Sequence, residues 1–288
     1  MDISLDLVKK LREKTGAGIA DCKKALVESD GDIEKAIEYL RKKGAATSQK
    51  RSDRVAKEGL IYARVNEARN EAAIVEVNCE TDFVAKSDKF NELAKTAVEA
   101  VFAAKSGDIN ALLSANTPGG SSIQQVIDGT TASVGEKVEF KRAAFFSSAD
   151  GFFCDYNHLG NKVASLIEIT GKVTDEGVTL GNDLAMQIVA MKPITIDRSG
   201  VSTEMIEKEK EIYKVQAINE GKPENIADRI ATNKVEKFYE ENCLVEQEFV
   251  KESGKTVNEV IKQVSALSGS DYKVKTMVRY QLGETIGA

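Results

Sequence analysis

Over residues 1–45 the apolar positions recur at helical spacing in three short bursts. Leu7, Val8 and Leu11 give the first an apolar stripe. Thr15-Gly16-Ala17-Gly18 then breaks it with two glycines, the residue type that most readily ends a helix. A second helix is predicted from about Ile19 through Cys22, Ala25 and Leu26. Asp30-Gly31-Asp32 supplies a turn and an N-cap, and Ile33, Ala36, Ile37 and Leu40 follow at i, i+3, i+4 and i+7. Gly44 is expected to stop this third helix. Three helices in so short a stretch make a small bundle, marginal in stability by itself. Residues 45–57, AATSQKRSDRVAK, are polar, basic and aperiodic, and read as a partly helical linker.

The pattern then changes to β-rich. Gly59–Val65 and Ala72–Asn78 flank the polar turn NEARNE and predict a hairpin. An amphipathic helix follows, carrying Phe90, Leu93, Ala94, Val98, Val101 and Phe102. Beyond a polar stretch with Pro118-Gly119-Gly120, Ile123–Ile127 reads as helix and Val138–Phe146 as strand. A second round starts with Phe152–Tyr156, a turn at Asn157–Asn161 and Val163–Ile169, followed by a helix over Leu184–Met191. Ile74-Val75-Glu76-Val77 answers Leu166-Ile167-Glu168-Ile169, so the order points to a duplicated α+β unit. Ser202 can cap a helix bearing Met205, Ile206, Ile212, Tyr213 and Asn219. Gly221 ends it, and Pro223 starts a return helix with Ile226, Ile230, Val235 and Phe238. A helix around Val257–Val264 and a strand over Lys275–Leu282 close the chain.

The expected fold class is therefore α+β. Its parts are a three-helix domain at 1–45, a linker at 46–57 and a first core subdomain at 58–148. A second core subdomain comprises 149–199 and 236–288, interrupted by a helical hairpin at 200–235. A projecting hairpin of this kind serves a second copy, a partner, or its own core.

Composition narrows the function. The net charge of −6 lacks the basic footprint of a general nucleic-acid binder. It is unevenly spread, with +4 over residues 1–57 and −10 over the rest, which suits docking a basic head onto a protein surface. Cys22, Cys79, Cys154 and Cys243 stand far apart, without the CxxC spacing of a zinc site or the density of a disulfide scaffold. The opening MDISLDLVKK has neither the apolar core of a signal peptide nor the basic bias of a transit peptide, and no apolar run reaches membrane-span length. A soluble, cytoplasmic protein is expected.

Candidate chemistry is sparse. The single histidine, His158, has no partner cluster for nucleophilic or zinc chemistry. Phosphate-cradling GxxxxGK[ST] and GxGxxG runs, GxSxG and HExxH are all absent. No cofactor and no metal site are expected, and a binding protein is favoured over an enzyme. One local feature stands out: Thr81 is a good N-cap where a strand ends, placing Asp82, Phe83 and Val84 in the first turn of a helix. In one reading Asp82 complements the helix dipole and Phe83 tucks into the core. In the other, the acid and the aromatic project together as a recognition tip. His158, in a hairpin turn, is an exposed turn residue or a surface contact.

Several stretches resemble the elongation factor Ts family. They include Arg12-Glu13-Lys14-Thr15-Gly16-Ala17-Gly18, Asp21-Cys22-Lys23-Lys24-Ala25-Leu26 and Gly31-Asp32-Ile33-Glu34-Lys35-Ala36-Ile37. Glu76-Val77-Asn78-Cys79-Glu80-Thr81-Asp82-Phe83-Val84-Ala85 is similar to the family's second signature. Tyr156-Asn157-His158, Gly221-Lys222-Pro223, Lys255-Thr256-Val257 and Val278-Arg279-Tyr280 follow in family order. The resemblance implies a guanine-nucleotide exchange factor whose partner is elongation factor Tu, with a bundle like the ubiquitin-associated fold at its N-terminus. It implies that Arg12, Ile19 and Ala20 touch the partner's nucleotide-binding domain. Thr81, Asp82, Phe83 and Val84 would disturb the partner's Mg²⁺ and phosphate site, and His158 would reach a distant domain of the partner. Ile19-Ala20 departs from the bulkier pair usual in the family, and Leu159-Gly160-Asn161 from its glycine-rich turn. The competing readings are an adaptor of the ubiquitin-associated type, with binding carried by residues 1–57, and a small-molecule enzyme on an α+β scaffold.

Overall fold

A computed structural model describes residues 3–117 and 120–284, so Pro118 and Gly119 of the polar stretch lie outside it. Three helices open the fold: α1 (Leu5–Thr15), α2 (Ile19–Glu28) and α3 (Ile33–Gln49). Ser4 and Asp32 accept hydrogen bonds from first-turn amides of α1 and α3, and Gly16 ends α1 with φ 60°. The apolar stripes meet in a small core of Val8, Leu11, Cys22, Ala25, Leu26 and Ala36.

Gly44 does not stop α3, which continues to Gln49. A Cβ at Gly44 would lie 3.2 Å from the Asp128 carbonyl oxygen, so the glycine is there for close approach rather than termination. The surface it meets is α7 (Ile123–Val134), and the bundle docks on the rest of the molecule along that contact.

Strands β1 (Glu58–Val65), β2 (Glu71–Cys79) and β3 (Val138–Ser147) form an antiparallel meander with β2 in the centre. Between β2 and β3 run α4 (Asp82–Ala85), α5 (Asp88–Ala104), α6 (Ile109–Ser114) and α7. The second sheet has β5 (Val163–Thr170) between β4 (Gly151–Asn157) and β6 (Lys273–Gln281). Helices α8 (Asp175–Met191), α9 (Thr203–Asn219), α10 (Glu224–Asn242) and α11 (Val257–Ser268) separate β5 from β6. Two sequence expectations fall short here: α6 was not foreseen, and α8 starts at Asp175 rather than Leu184. In α8, Gly177 and Gly181 leave room for Tyr272 and Cys154, which a Cβ at either position would overlap.

Alternation along the strands, with its period of two, sorts side chains into layers. Val75, Val77 and Cys79 face α5 and α7, and Ile167 and Ile169 face α8 and α11. Ile61, Ala63, Ala72 and Ile74 meet Phe153, Ala164 and Leu166 between the sheets. The core is thus helices, sheet, sheet, helices. The duplication is visible in detail, because each central strand shifts register at its buried glutamate, Glu76 in β2 and Glu168 in β5. Side chains also stitch the halves at their edges: Asn157 accepts from the Ala63 amide at 2.8 Å and donates to its carbonyl at 2.9 Å. Helices α9 and α10 form the hairpin, although α10 runs to Asn242. Among the described residues no helix is long and apolar enough to cross a membrane.

Candidate functional site

Strand β2 ends at Cys79, and Thr81 turns the chain. Its hydroxyl accepts from the Val84 amide at 3.4 Å and caps α4 as expected. The helix lasts only one turn, because Ser87 caps a new helix, α5. Ala85 is buried and Val84 packs on the core, whereas Phe83 is 82% exposed. Phe83 therefore does not tuck into the core, and a large aromatic stands out in water at the tip of a turn. Asp82 pairs with Lys86 at 2.8 Å, and that hydrogen bond holds its carboxyl below the usual carboxylate range.

The tip is tied down from behind by residues that sequence reasoning did not single out. The Glu136 carboxylate accepts from the Thr81 amide at 2.9 Å and from the Thr81 hydroxyl at 2.7 Å. The Glu80 carboxylate accepts from the Lys137 amide at 2.6 Å and from Arg54 at 3.2 Å. Arg54 belongs to the segment between α3 and β1, and Lys137 Nζ donates to the Ser52 carbonyl of that same segment at 2.7 Å. The expected linker is therefore fastened to the base of the tip. A sequence separation of 55 residues hides the Thr81–Glu136 contact from any local pattern.

The Lys137 amide, followed by Arg54, holds the Glu80 carboxyl below the ordinary glutamate value of 4.5. A depressed value means that Glu80 contributes stability above that pH and loses it as pH falls through the folded-state value. The gap in melting temperature between the native chain and Glu80→Gln should stay constant from about pH 7 down to about pH 5 and close below it. A gap that does not narrow at all as pH falls below about 4.5 would show that the charge of Glu80 is not what the fold uses.

The other candidates lie toward the same end of the molecule. Lys89, at the start of α5, donates to the Gly16 carbonyl at 2.7 Å. That contact sets the α1–α2 corner, with Arg12, Ile19 and Ala20 exposed, beside the helix that follows the tip. Desolvation lowers the pKa of Lys89. His158 is exposed in the β4–β5 turn, where its Nδ1 lies 3.2 Å from the Tyr156 hydroxyl. Beside it Leu159 is 93% exposed. The turn is seated on β1: the Ile61 amide donates to the Asn161 carbonyl at 2.7 Å, and Lys162 pairs with Glu58 at the start of that strand. Glu58 is the register partner of Cys79, two residues before Thr81. Exposed apolar side chains, Ile19, Phe83 and Leu159, are thus spread along one end. Among the described residues no cluster of three or more His, Cys, Asp or Glu is placed to hold a metal. Burial pushes the Cys79 thiol up to about 12 and Cys154 and Cys243 to about 11, which removes them as nucleophiles. The exposed apolar side chains at this end offer a surface to a partner.

Comparison with known proteins shows the family of the chain. The family model for Elongation factor TS matches residues 80–284. An Elongation factor Ts from Chloroherpeton thalassium is 44% identical over 286 residues, covering 98% of this chain and 99% of that relative. One from Chlorobium phaeobacteroides is 42% identical over 284 residues, covering 98% and 99%. One from Clostridium botulinum is 42% identical over 285 residues, covering 99% and 94%.

Proposed function

Because the chain belongs to the elongation factor Ts family, we propose that it promotes GDP release from the GTPase elongation factor Tu so that GTP can bind. Family membership makes it a translation elongation factor. The observation that carries this mechanism is Phe83: 82% exposed, on a short turn that is fastened from behind.

A GTPase holds GDP through backbone amides of its phosphate loop and through Mg²⁺ bridging phosphate and protein. Both contacts depend on sub-ångström placement, so a side chain inserted beside them weakens the nucleotide without breaking any bond. In this reading Phe83 is the insert. Its apolar surface, solvated in the free chain, is buried in the complex, which offsets the distortion of the partner. Asp82 brings a carboxylate to the same place and competes for polar contacts around the metal, while Thr81 and Val84 fix the turn. Arg12, Ile19 and Ala20 hold the nucleotide-binding domain nearby. His158 holds a second domain, so the tip enters at a set angle. Linkage then requires that nucleotide weaken binding of this chain by the same factor as this chain weakens nucleotide. GTP, abundant in the cytoplasm, completes the cycle by displacing the factor.

In this proposal the chain divides into five parts, and the α9–α10 hairpin is a projecting insertion. Met205, Ile212, Val215 and Ile218 are exposed on that hairpin. They serve either a second copy or the partner, and sedimentation with and without elongation factor Tu separates these roles.

The test is release of fluorescent GDP from elongation factor Tu, chased with excess GDP, with increasing amounts of this chain. A saturable acceleration supports the proposal. No acceleration, with folded components, would overturn it and favour an adaptor. Binding retained by residues 1–57 alone would then identify that alternative.

A further inference from the structure

We propose that Glu136 is the positioning residue of the tip, acting on exchange through Phe83; this inference rests on the exchange reading above. Helix α4 has only four residues, too few for its own hydrogen bonds to hold it. Phe83, exposed as it is, does nothing to fix itself. The turn must therefore be held at its ends. Downstream, burial of Ala85 and the Ser87 cap do so. Upstream, the task falls to Thr81, and Thr81 is set by Glu136.

The hydroxyl chemistry makes the dependence specific. Thr81 Oγ1 has one proton and gives it to Glu136, which leaves its lone pairs turned toward the Val84 amide it caps. The same carboxylate takes the Thr81 amide, so both donors of that residue end on one side chain. Glu136 in turn follows Gly135, whose left-handed turn (φ 78°) ends α7. Its neighbour Lys137 donates its amide back to Glu80. Residues 80–81 and 136–137 thus grip one another reciprocally, each pair supplying one carboxylate and one backbone amide. A wedge works only if its base yields less than the loop it pushes. Without Glu136 the Thr81 hydroxyl is free to rotate, and the turn moves instead of the partner.

Four proteins test the idea: the native chain, Phe83→Ala, Glu136→Ala and the double variant. Each is assayed for maximal GDP-release rate, half-saturating concentration and melting temperature. Glu136→Ala should lower the maximal rate about tenfold with little change in half-saturation, as expected for a misplaced rather than a missing contact. In the Phe83→Ala background the same change should cost less than about twofold, because the two residues act as one unit. Glu136→Gln keeps the shape and one acceptor, and its loss should be about threefold; this isosteric variant carries the test if alanine fails to fold. A full-speed Glu136→Ala beside a slowed Phe83→Ala would overturn the inference. So would losses that multiply in the double variant, the mark of a merely structural residue. A Phe83→Ala protein as fast as the native chain would instead bring down the wedge itself, and this inference with it.

Discussion

Phe83→Ala is expected to cut the maximal rate of GDP release from elongation factor Tu by about 30-fold, leaving the melting temperature of the free chain unchanged. The magnitude follows from the size of the group. A phenylalanine that goes from solvent to a buried contact is worth roughly 2 kcal/mol, and each ~1.4 kcal/mol is a factor of ten. The unchanged stability follows from its exposure, since truncating a side chain that is mostly in solvent removes almost no folded contact. The two readouts together separate a displayed wedge from a core residue. A core phenylalanine would have lost about 3–5 kcal/mol of stability on truncation and slowed exchange only through misfolding. Unchanged exchange with an intact fold would eliminate the wedge. Asp82→Asn isolates the charge, because the shape of the side chain is kept while the ion pair with Lys86 is lost and the Thr81 cap is untouched.

The second large effect concerns the buried layer between the sheets. Glu76 is fully buried and accepts from Arg142 Nε at 2.6 Å, and Arg142 also donates to the Gln281 carbonyl at 3.0 Å and stacks over Tyr280. Glu76→Ala removes one partner of a buried pair and leaves the guanidinium in a dry site, which costs about 3 kcal/mol. The Gln281 carbonyl and the carboxylate of Glu284, 3.7 Å away, keep the loss at the low end of that class. The pseudo-equivalent Glu168→Ala should cost only about 1 kcal/mol. Its partner Lys275 is half-exposed and retains Asp150 at 2.7 Å. Urea unfolding of both variants decides it: equal losses would mean that burial of the partner cation does not set the energetics.

Much of this architecture was legible from spacing alone. Ile33, Ala36, Ile37 and Leu40 announce α3, and the paired strands of both hairpins follow from β-rich runs bounded by polar turns. The misplaced bounds of α3 and α8 share a cause. Gly44, Gly177 and Gly181 are helix breakers by local propensity, yet here they sit inside helices because another backbone or side chain comes close. Close approach is a tertiary fact, invisible in a window of neighbours. At the tip, the Thr81 cap could be read from the sequence. The exposure of Phe83 could not, since a four-residue helix has no period to assign a face. Glu136 carried no signal at all: one glutamate among many acids, made distinctive only by what the fold brings to it.

The order of strands in the second sheet has a consequence for biosynthesis. The first sheet is complete once residue 147 has left the ribosome, since β1, β2 and β3 are all present by then. Strand β5 is different, because its outer neighbour β6 begins at Lys273, roughly a hundred residues later. At ~5–20 residues per second, the hydrogen-bonding edge of β5 waits about 5–20 s for its partner, longer than most small domains need to fold. Nascent chains stalled before residue 273 should therefore resist protease through β3 and be cut within β4–β5. Equal protection of both halves would mean that the first sheet alone is enough to shield the second. Otherwise this factor of translation spends about a third of its own translation with an open strand edge, the state in which a chaperone or a neighbouring nascent chain can claim it.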